Sequence, residues 1–403
     1  MNKEKLVCTN CGESYDKETK NFRCDKCGEP IELEEVKEGK ISDGNPLGQT
    51  LLERYKDFYP SLSTENNFSL NEGFTSLVSV DDMAKEYGIS GLFFKNETQN
   101  PTWSFKDRGT VTGVLRAMNL GYKKIGTVST GNMATSVAAY GARAGLDTYI
   151  LVKKGIAEEK LKPIAIYGAK LIEVEGDYSK LYDESLAIGH ENDIYFINSD
   201  VPYRVEGYKT MAFEICEQLG FEAPDYVIVP TSAGGDIRGI EKGFREFYKL
   251  GLIDKLPKMV AVQASGCSPI YNAFREGKLE ISRVADPETI AHAIENPYPP
   301  SGNQVLRMLK KNGGLALGVD DVDILKSQKK LASLGLFVQP ASATSLAAVE
   351  KLYKEKLLKE SDNVVCVLTG SGLKYTAALD EHDLDVYTCK LEELNDFIKK
   401  VGN

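Results

Sequence analysis

A chain of 403 residues, 42% hydrophobic and 27% charged, can bury a sizeable core and is long enough to expect more than one domain. Its net charge of -10 argues against nucleic-acid binding as its main business. No run approaches the ~20 apolar residues of a membrane span, and the opening MNKEKLVCTNCG lacks the apolar segment of a secretory signal, so a cytoplasmic protein with no membrane or nucleic-acid partner is expected.

The first element along the chain is rich in cysteine. CTNCG and CDKCG place Cys8, Cys11, Cys24 and Cys27 as two CxxC pairs with twelve residues between them, and the glycine after each pair permits a tight turn. Four thiolates facing one point suit zinc, and a closed four-cysteine site leaves no open position for chemistry, so a structural zinc ribbon is expected over residues 1–40. Cys216, Cys267, Cys366 and Cys389 are scattered and read as small core residues. A polar connector, EGKISDGNPLGQ, follows at 38–49. From Gly91 onward, short β-branched runs (GLFFKNE, KKIGTVST, DTYILVKK, AKLIEVEG, DIYFINSD, YVIVPT, KMVAVQAS and NVVCVLTG) alternate with amphipathic stretches. Buried parallel strands joined by crossover helices read this way, and the fold class is α/β.

In three places a strand runs into small or hydroxyl-bearing residues and then a helix: GTVSTGNMATSV, YVIVPTSAGGDIRG and VVCVLTGSGLK. Ligands collect at the carboxyl ends of parallel strands, and free N–H groups at a helix start favour an anion. A fourth loop, NPTWSFKDRG, holds Lys106 between aromatic residues and an acid–base pair. The three histidines (His190, His292, His382) lie outside all of these loops, which leaves a histidine-based triad or metal centre unsupported. None of the loops is GxGxxG, and GxxxxGK[ST] is absent, which counts against dinucleotides and nucleoside triphosphates. A lysine, a phosphate-cradling loop and polar groups for a planar ring remain, and these are the parts pyridoxal 5'-phosphate needs.

On the motifs NEGFTSL, SFKDRG, STGN, NSDVPYRVEGYKT, QPASATSLA and LTGSGLK, the sequence resembles the threonine synthases of the pyridoxal-phosphate fold-type II (tryptophan synthase β-like) family, in the branch with an N-terminal ribbon. The resemblance implies two open α/β domains, a homodimer, and conversion of O-phosphohomoserine and water to threonine and phosphate. It implies that Lys106 binds the cofactor aldehyde and shuttles protons, that Asn132 meets the ring hydroxyl, and that Thr369 faces the ring nitrogen. Ser232, Ala233, Gly234, Gly235 and Asp236 would cradle the cofactor phosphate. Ser129 and Thr130, with Asn132, would take the substrate carboxylate, and Asn198, Ser199, Arg204 and Lys209 the substrate phosphate. Asp107 and Arg108 are expected to brace the loop. The expected organisation is a ribbon at 1–40, a small α/β domain at 108–189, and a large cofactor-binding domain assembled from 41–107 and 190–403.

The sequence departs from the family's pattern at several of these positions. Trp103 stands where a glycine is usual beside the lysine, Met133 for a threonine, and Val201 and Tyr208 for asparagine and glutamine. The phosphate loop reads SAGGD in place of Gly-Asn-x-Gly-Asn, Gln339 replaces a glutamate, and Ser371 a histidine. Bulk at Trp103 and Tyr208 keeps a second reaction open, β-replacement or β-elimination on a shorter phospho- or hydroxy-amino acid, as in cysteate synthase or serine/threonine dehydratase.

Overall fold

β-Branched and aromatic residues form the strands, and glycines or short polar turns end them. The computed structural model describes residues 5–44, 48–59, 62, 68–156, 158–176 and 178–401, so residues 1–4 of the expected ribbon and 45–47 of the connector lie outside the described residues. The ribbon is an antiparallel sheet of β1 (Lys5–Cys8), β2 (Ser14–Asp16) and β3 (Ile31–Leu33), ordered β2-β1-β3. Leu6, Ile31 and Leu33 turn inward and join the main core. The chain next lays down β4 (Leu77–Ser79) and β5 (Gly91–Asn96). It then leaves to build a separate parallel sheet from β6 (Lys124–Val128), β7 (Asp147–Lys153), β8 (Lys170–Val174) and β9 (Ile194–Phe196), ordered β8-β7-β6-β9. It returns for β10 (Tyr226–Pro230), β11 (Lys258–Ala264), β12 (Leu315–Val319) and β13 (Asn363–Leu368).

These last four strands join β4 and β5 in a sheet ordered β12-β11-β10-β13-β5-β4, parallel except for β4 at its edge. Winding reverses between β10 and β13, which opens a crevice at their carboxyl ends. The smaller sheet reaches further along the chain than the expected boundary at 189. β9 pairs in parallel with β6, brought there by the crossover helix Tyr178–Asn192.

A cluster of buried charge ties the end of β5 to two helices. The Arg108 guanidinium donates to Glu97 from Nε (2.6 Å) and Nη2 (2.8 Å), and to Glu214 from Nη1 (2.6 Å) and Nη2 (2.8 Å). Lys95 on β5 donates to the same Glu214 at 2.7 Å and to the Thr75 carbonyl at 2.7 Å. Two cations and two carboxylates balance, so this cluster carries no net charge. Burial works against the Glu214 charge, but Arg108 and Lys95 outweigh it and hold its pKa down to about 2. A carboxylate lowered in this way stabilises the fold fully above its unfolded value of about 4.3, and the contribution is lost as pH falls through the folded value. Glu214→Gln is therefore expected to destabilise the protein by about 3 kcal/mol at neutral pH. In urea melts, its difference from the parent chain should shrink between about pH 5 and pH 2. A difference that stays constant across that window would contradict this assignment.

Candidate active site

Beyond β5 the chain makes a single turn, Glu97–Gln99, and then the loop that carries the lysine. The loop lies edge to edge on the segment after β13: the Phe105 amide donates to the Thr369 carbonyl (3.1 Å), and the Ser371 amide to the Trp103 carbonyl (3.0 Å). Trp103 adopts φ 61, a left-handed conformation that favours glycine, which accounts for the glycine found there in the resembled family. Its indole is 51% exposed, so the bulk expected near the reacting atoms is turned largely to solvent. Asp107 and Arg108 do not pair with each other. The Asp107 carboxylate closes the loop by accepting from the Thr102 amide (2.7 Å), the Thr102 hydroxyl (2.6 Å) and the Ser136 hydroxyl (2.6 Å).

Lys106 opens the helix Lys106–Asn119, partly buried, with Nζ 4.1 Å from the centre of the Phe105 ring. Removal from water disfavours its charge, the nearby Arg204 cation adds to this, and Asp236 opposes it; the pKa falls to about 8. An amine with that value is available as a nucleophile and proton carrier near neutral pH.

Three loops surround it. Asn132 begins the helix Asn132–Arg143, and its Nδ2 donates to Gln339 Oε1 at 3.2 Å. No side chain caps that helix start, which leaves its first N–H groups free for an anion beside Ser129 and Thr130. In the second loop Gly234 sits at φ 92, where a Cβ would lie 2.9 Å from Val305 and 3.1 Å from Ser301; at Gly235 it would lie 2.7 Å from the Ser199 carbonyl. Only glycine fits, and bare backbone leads into the helix Gly235–Lys249, where N–H groups at a helix start favour an anion. Asp236 is buried and accepts from the Ile237 amide at 2.8 Å; burial raises its pKa, and Lys106 pulls the other way. In the third loop the Thr369 hydroxyl meets that of Ser342 at 2.8 Å. Ser342 stands in QPASATSLA, a motif whose hydroxyl had no assigned role.

The expected substrate-phosphate residues divide. Arg204 is fully buried; Nη1 donates to the Thr110 hydroxyl (3.1 Å), and Nε and Nη2 have no partner among the described residues. The buried Tyr208 hydroxyl, one helical turn on, lies beside the Arg204 guanidinium without a well-formed hydrogen bond, and its ring packs on Phe105 at 5.1 Å. Lys209 is not brought to this group. Its ammonium is held by Glu206 (2.7 Å), Glu246 (3.2 Å) and the Phe58 carbonyl (2.7 Å) in a separate buried cluster. Asn198 is saturated as well: Oδ1 accepts from the Val128 amide (3.2 Å), and Nδ2 donates to Ser185 (3.1 Å), which pins β6 to the turn after β9. Ser199 contributes its carbonyl as the wall over Gly235.

In the ribbon, the Sγ atoms of Cys8, Cys11, Cys24 and Cys27 all lie within 4.8 Å of one another, with edges of 3.4 Å (Cys8–Cys27), 3.5 Å (Cys11–Cys24) and 3.7 Å (Cys11–Cys27). A tetrahedron of thiolates around zinc has edges of about 3.8 Å. No disulfide joins any of the eight cysteines, and Cys216, Cys267 and Cys366 are buried core thiols.

The family of pyridoxal-phosphate dependent enzymes matches residues 68–370. The threonine synthase of Methanocaldococcus jannaschii is 42% identical over 374 residues, covering 91% of this chain and 92% of that protein. That of Methanosarcina acetivorans is 37% identical over 383 residues, 92% of each. The solved diaminopropionate ammonia lyase of Escherichia coli superposes with a TM-score of 0.66 at 18% identity, covering 78% of this chain and 88% of that one, a likeness of fold alone. The architecture is fold-type II.

The lowered pKa of Lys106 gives a direct expectation. In cofactor-free protein, acylation of Lys106 by an amine-reactive reagent should reach half its plateau near pH 8, against about 10.4 for an exposed lysine. Peptide mass mapping over a pH series reads this, and a half-point at the exposed value would contradict the desolvated site.

Proposed function

Because the chain belongs to the pyridoxal-phosphate-dependent enzymes, in their threonine synthase group, we propose that its reaction is that group's: O-phosphohomoserine and water give threonine and phosphate. The observation that carries a phosphorylated substrate is the buried Arg204 guanidinium, with two donors unpartnered in the neighbourhood of Lys106. An unpaired buried cation is costly, and an arriving phosphate offsets that cost with charge-assisted hydrogen bonds.

The residues fit the cofactor. Lys106 would supply the amine for its aldehyde, the Ser232–Asp236 loop the donors for its phosphate, Asn132 the partner of its ring hydroxyl, and the Thr369–Ser342 hydroxyl pair the partner of its ring nitrogen. When bound, pyridoxal phosphate supplies an electron sink for negative charge developing on the substrate's carbons. The chain's own groups do the rest. The uncapped start of the helix Asn132–Arg143, with Ser129 and Thr130, takes the α-carboxylate and fixes one end of the substrate. Arg204 takes the phosphate at the other end, so the carbons between are held beside Lys106 Nζ. From there Lys106 removes the α-proton and returns protons further along the chain, with a pKa suited to both directions. Burial works against the Asp236 charge while Lys106 opposes that, and its carboxylate is turned to the Ile237 amide. Lys209 has no part in this reading, and Asn198 acts by holding the loop, since its amide is already bonded.

The competing β-replacement or β-elimination loses much of its motive. Trp103 leaves its ring half exposed, and Tyr208 brings a hydroxyl beside Arg204 as well as bulk. A cytoplasmic homodimer belongs to the same reading; eight cysteines without a disulfide suit a reducing compartment. Among the described residues no helix is long and apolar enough to cross a membrane.

Holoenzyme offered O-phosphohomoserine, phosphoserine, serine and threonine separately should release phosphate and threonine in equal amounts from the first alone, read by mass spectrometry. Arg204→Ala should lose at least about 30-fold in kcat/KM on that substrate, as expected when a buried charged partner worth 2 kcal/mol or more is removed. No phosphate and no threonine from confirmed holoenzyme would reject the proposal. For the ribbon we propose one structural zinc per chain. Elemental analysis should find it in the parent protein and not in a Cys8→Ser, Cys27→Ser double variant; a metal-free parent that melts normally would reject it.

A further inference from the structure

One side chain of the ribbon reaches both loops that flank the phosphate loop. Arg23 immediately precedes Cys24, and its Nη1 donates to the Gly28 carbonyl at 3.1 Å, so it is anchored to the turn that follows the second CxxC pair. Its Nη2 leaves the ribbon and meets two separate loops at once, the Asp200 carboxylate and the Pro300 carbonyl (2.9 Å). Asp200, buried, directly follows Ser199, whose carbonyl is the wall that a Cβ on Gly235 would strike at 2.7 Å. Pro300 directly precedes Ser301, whose amide donates to the Ala233 carbonyl (3.1 Å) and whose Cβ would lie 3.1 Å from a Cβ on Gly234. One guanidinium therefore bridges the two walls between which the glycines of the phosphate loop are pressed, with the Tyr182 hydroxyl also donating to Asp200. A second path runs in parallel: Glu32 of β3 accepts from Arg238 (3.4 Å), and Arg238 donates to the Ser301 hydroxyl (2.8 Å).

We propose that Arg23 is a positioning residue for the reaction, and that the four-cysteine ribbon serves as a strut setting the width of the phosphate cradle from outside the catalytic sheets. The inference rests on the reading of Ser232–Asp236 as the holder of the cofactor phosphate. The physical reason is geometric. A cradle of backbone N–H groups binds only at its correct opening, and these two walls come from loops more than ninety residues apart that share no strand pairing. The planar guanidinium ties Nη1 on the Gly28 carbonyl rigidly to Nη2 on the two walls, a span that the single nitrogen of an ammonium lacks. Displacing a binding group by about 1 Å is enough to lower function by one to two orders of magnitude.

The test compares pyridoxal 5'-phosphate with pyridoxal, which lacks the phosphate, on full-length protein stripped of cofactor, with affinities read by absorbance titration. Wild type should prefer the phosphorylated form. Arg23→Ala should lose on the order of tenfold in affinity for pyridoxal 5'-phosphate and keep its affinity for pyridoxal. Arg23→Lys, which retains a charge for Asp200 but not the fork, should fall between. Asp200→Asn should shift the preference in the same direction as Arg23→Ala, and carries the test should Arg23→Ala lose its circular dichroism spectrum. Equal losses for both ligands, or an unchanged preference in Arg23→Ala and Asp200→Asn, would overturn the strut while leaving the cradle intact. A wild-type protein that does not distinguish the two ligands would overturn the cradle reading, and the strut with it.

Discussion

Arg108 places a guanidinium where it is fully buried, and its planar fork is answered on two sides by carboxylates from distant parts of the chain. Burying four charges costs several kcal/mol per ion before their attractions are counted, so such a cluster is a poor way to gain raw stability. It does set direction. Each edge of the fork has one carboxylate, and each carboxylate belongs to a different element: Glu97 to the turn after β5, Glu214 to the helix Pro202–Gln218. With Lys95 holding Glu214 from β5, the start of the helix Lys106–Asn119 has one position available to it. Lys106 stands two residues before that fixed point.

The remaining contacts complete the confinement. The lysine loop is bonded edgewise to the segment after β13, and the Gly370 carbonyl in turn accepts from the Gln339 amide at 3.1 Å. Gln339 also accepts from Asn132, so the helix start proposed to take the substrate carboxylate is joined to the same frame. A network of hydrogen bonds therefore lies behind the amine, while buried Ser104, Arg204 and Tyr208 keep side-chain groups without a well-formed partner. This division is what a binding site requires: rigid where the protein must not move, unsatisfied where a ligand will arrive.

Much of this could be read from the residues. SFKDRG marked the lysine, the alternating runs gave eight of the strands, and the bracing role of Asp107 and Arg108 was expected. Their partners were not readable, because Glu97 and Glu214 lie 11 and 106 positions from Arg108 and no periodicity links them. β12, short and interrupted by Gly318, and the antiparallel edge strand β4 gave too little pattern to register. The separation of Lys209 from Arg204 is legible in their spacing. At 3.6 residues per turn, positions five apart differ by about 140° around a helix, so Arg204 and Lys209 cannot share a face, whereas Arg204 and Tyr208, four apart, do. The left-handed backbone of Trp103 could not be inferred from residue type, since a tryptophan at positive φ is against its preference.

The account as a whole depends on one amine forming the covalent link to the cofactor. Borohydride reduction of the holoprotein followed by peptide mapping tests this most directly. One phosphopyridoxyl group per chain, located on Lys106, is the predicted result. A label on any other lysine, or a reduced holoprotein with Lys106 unmodified, would contradict it.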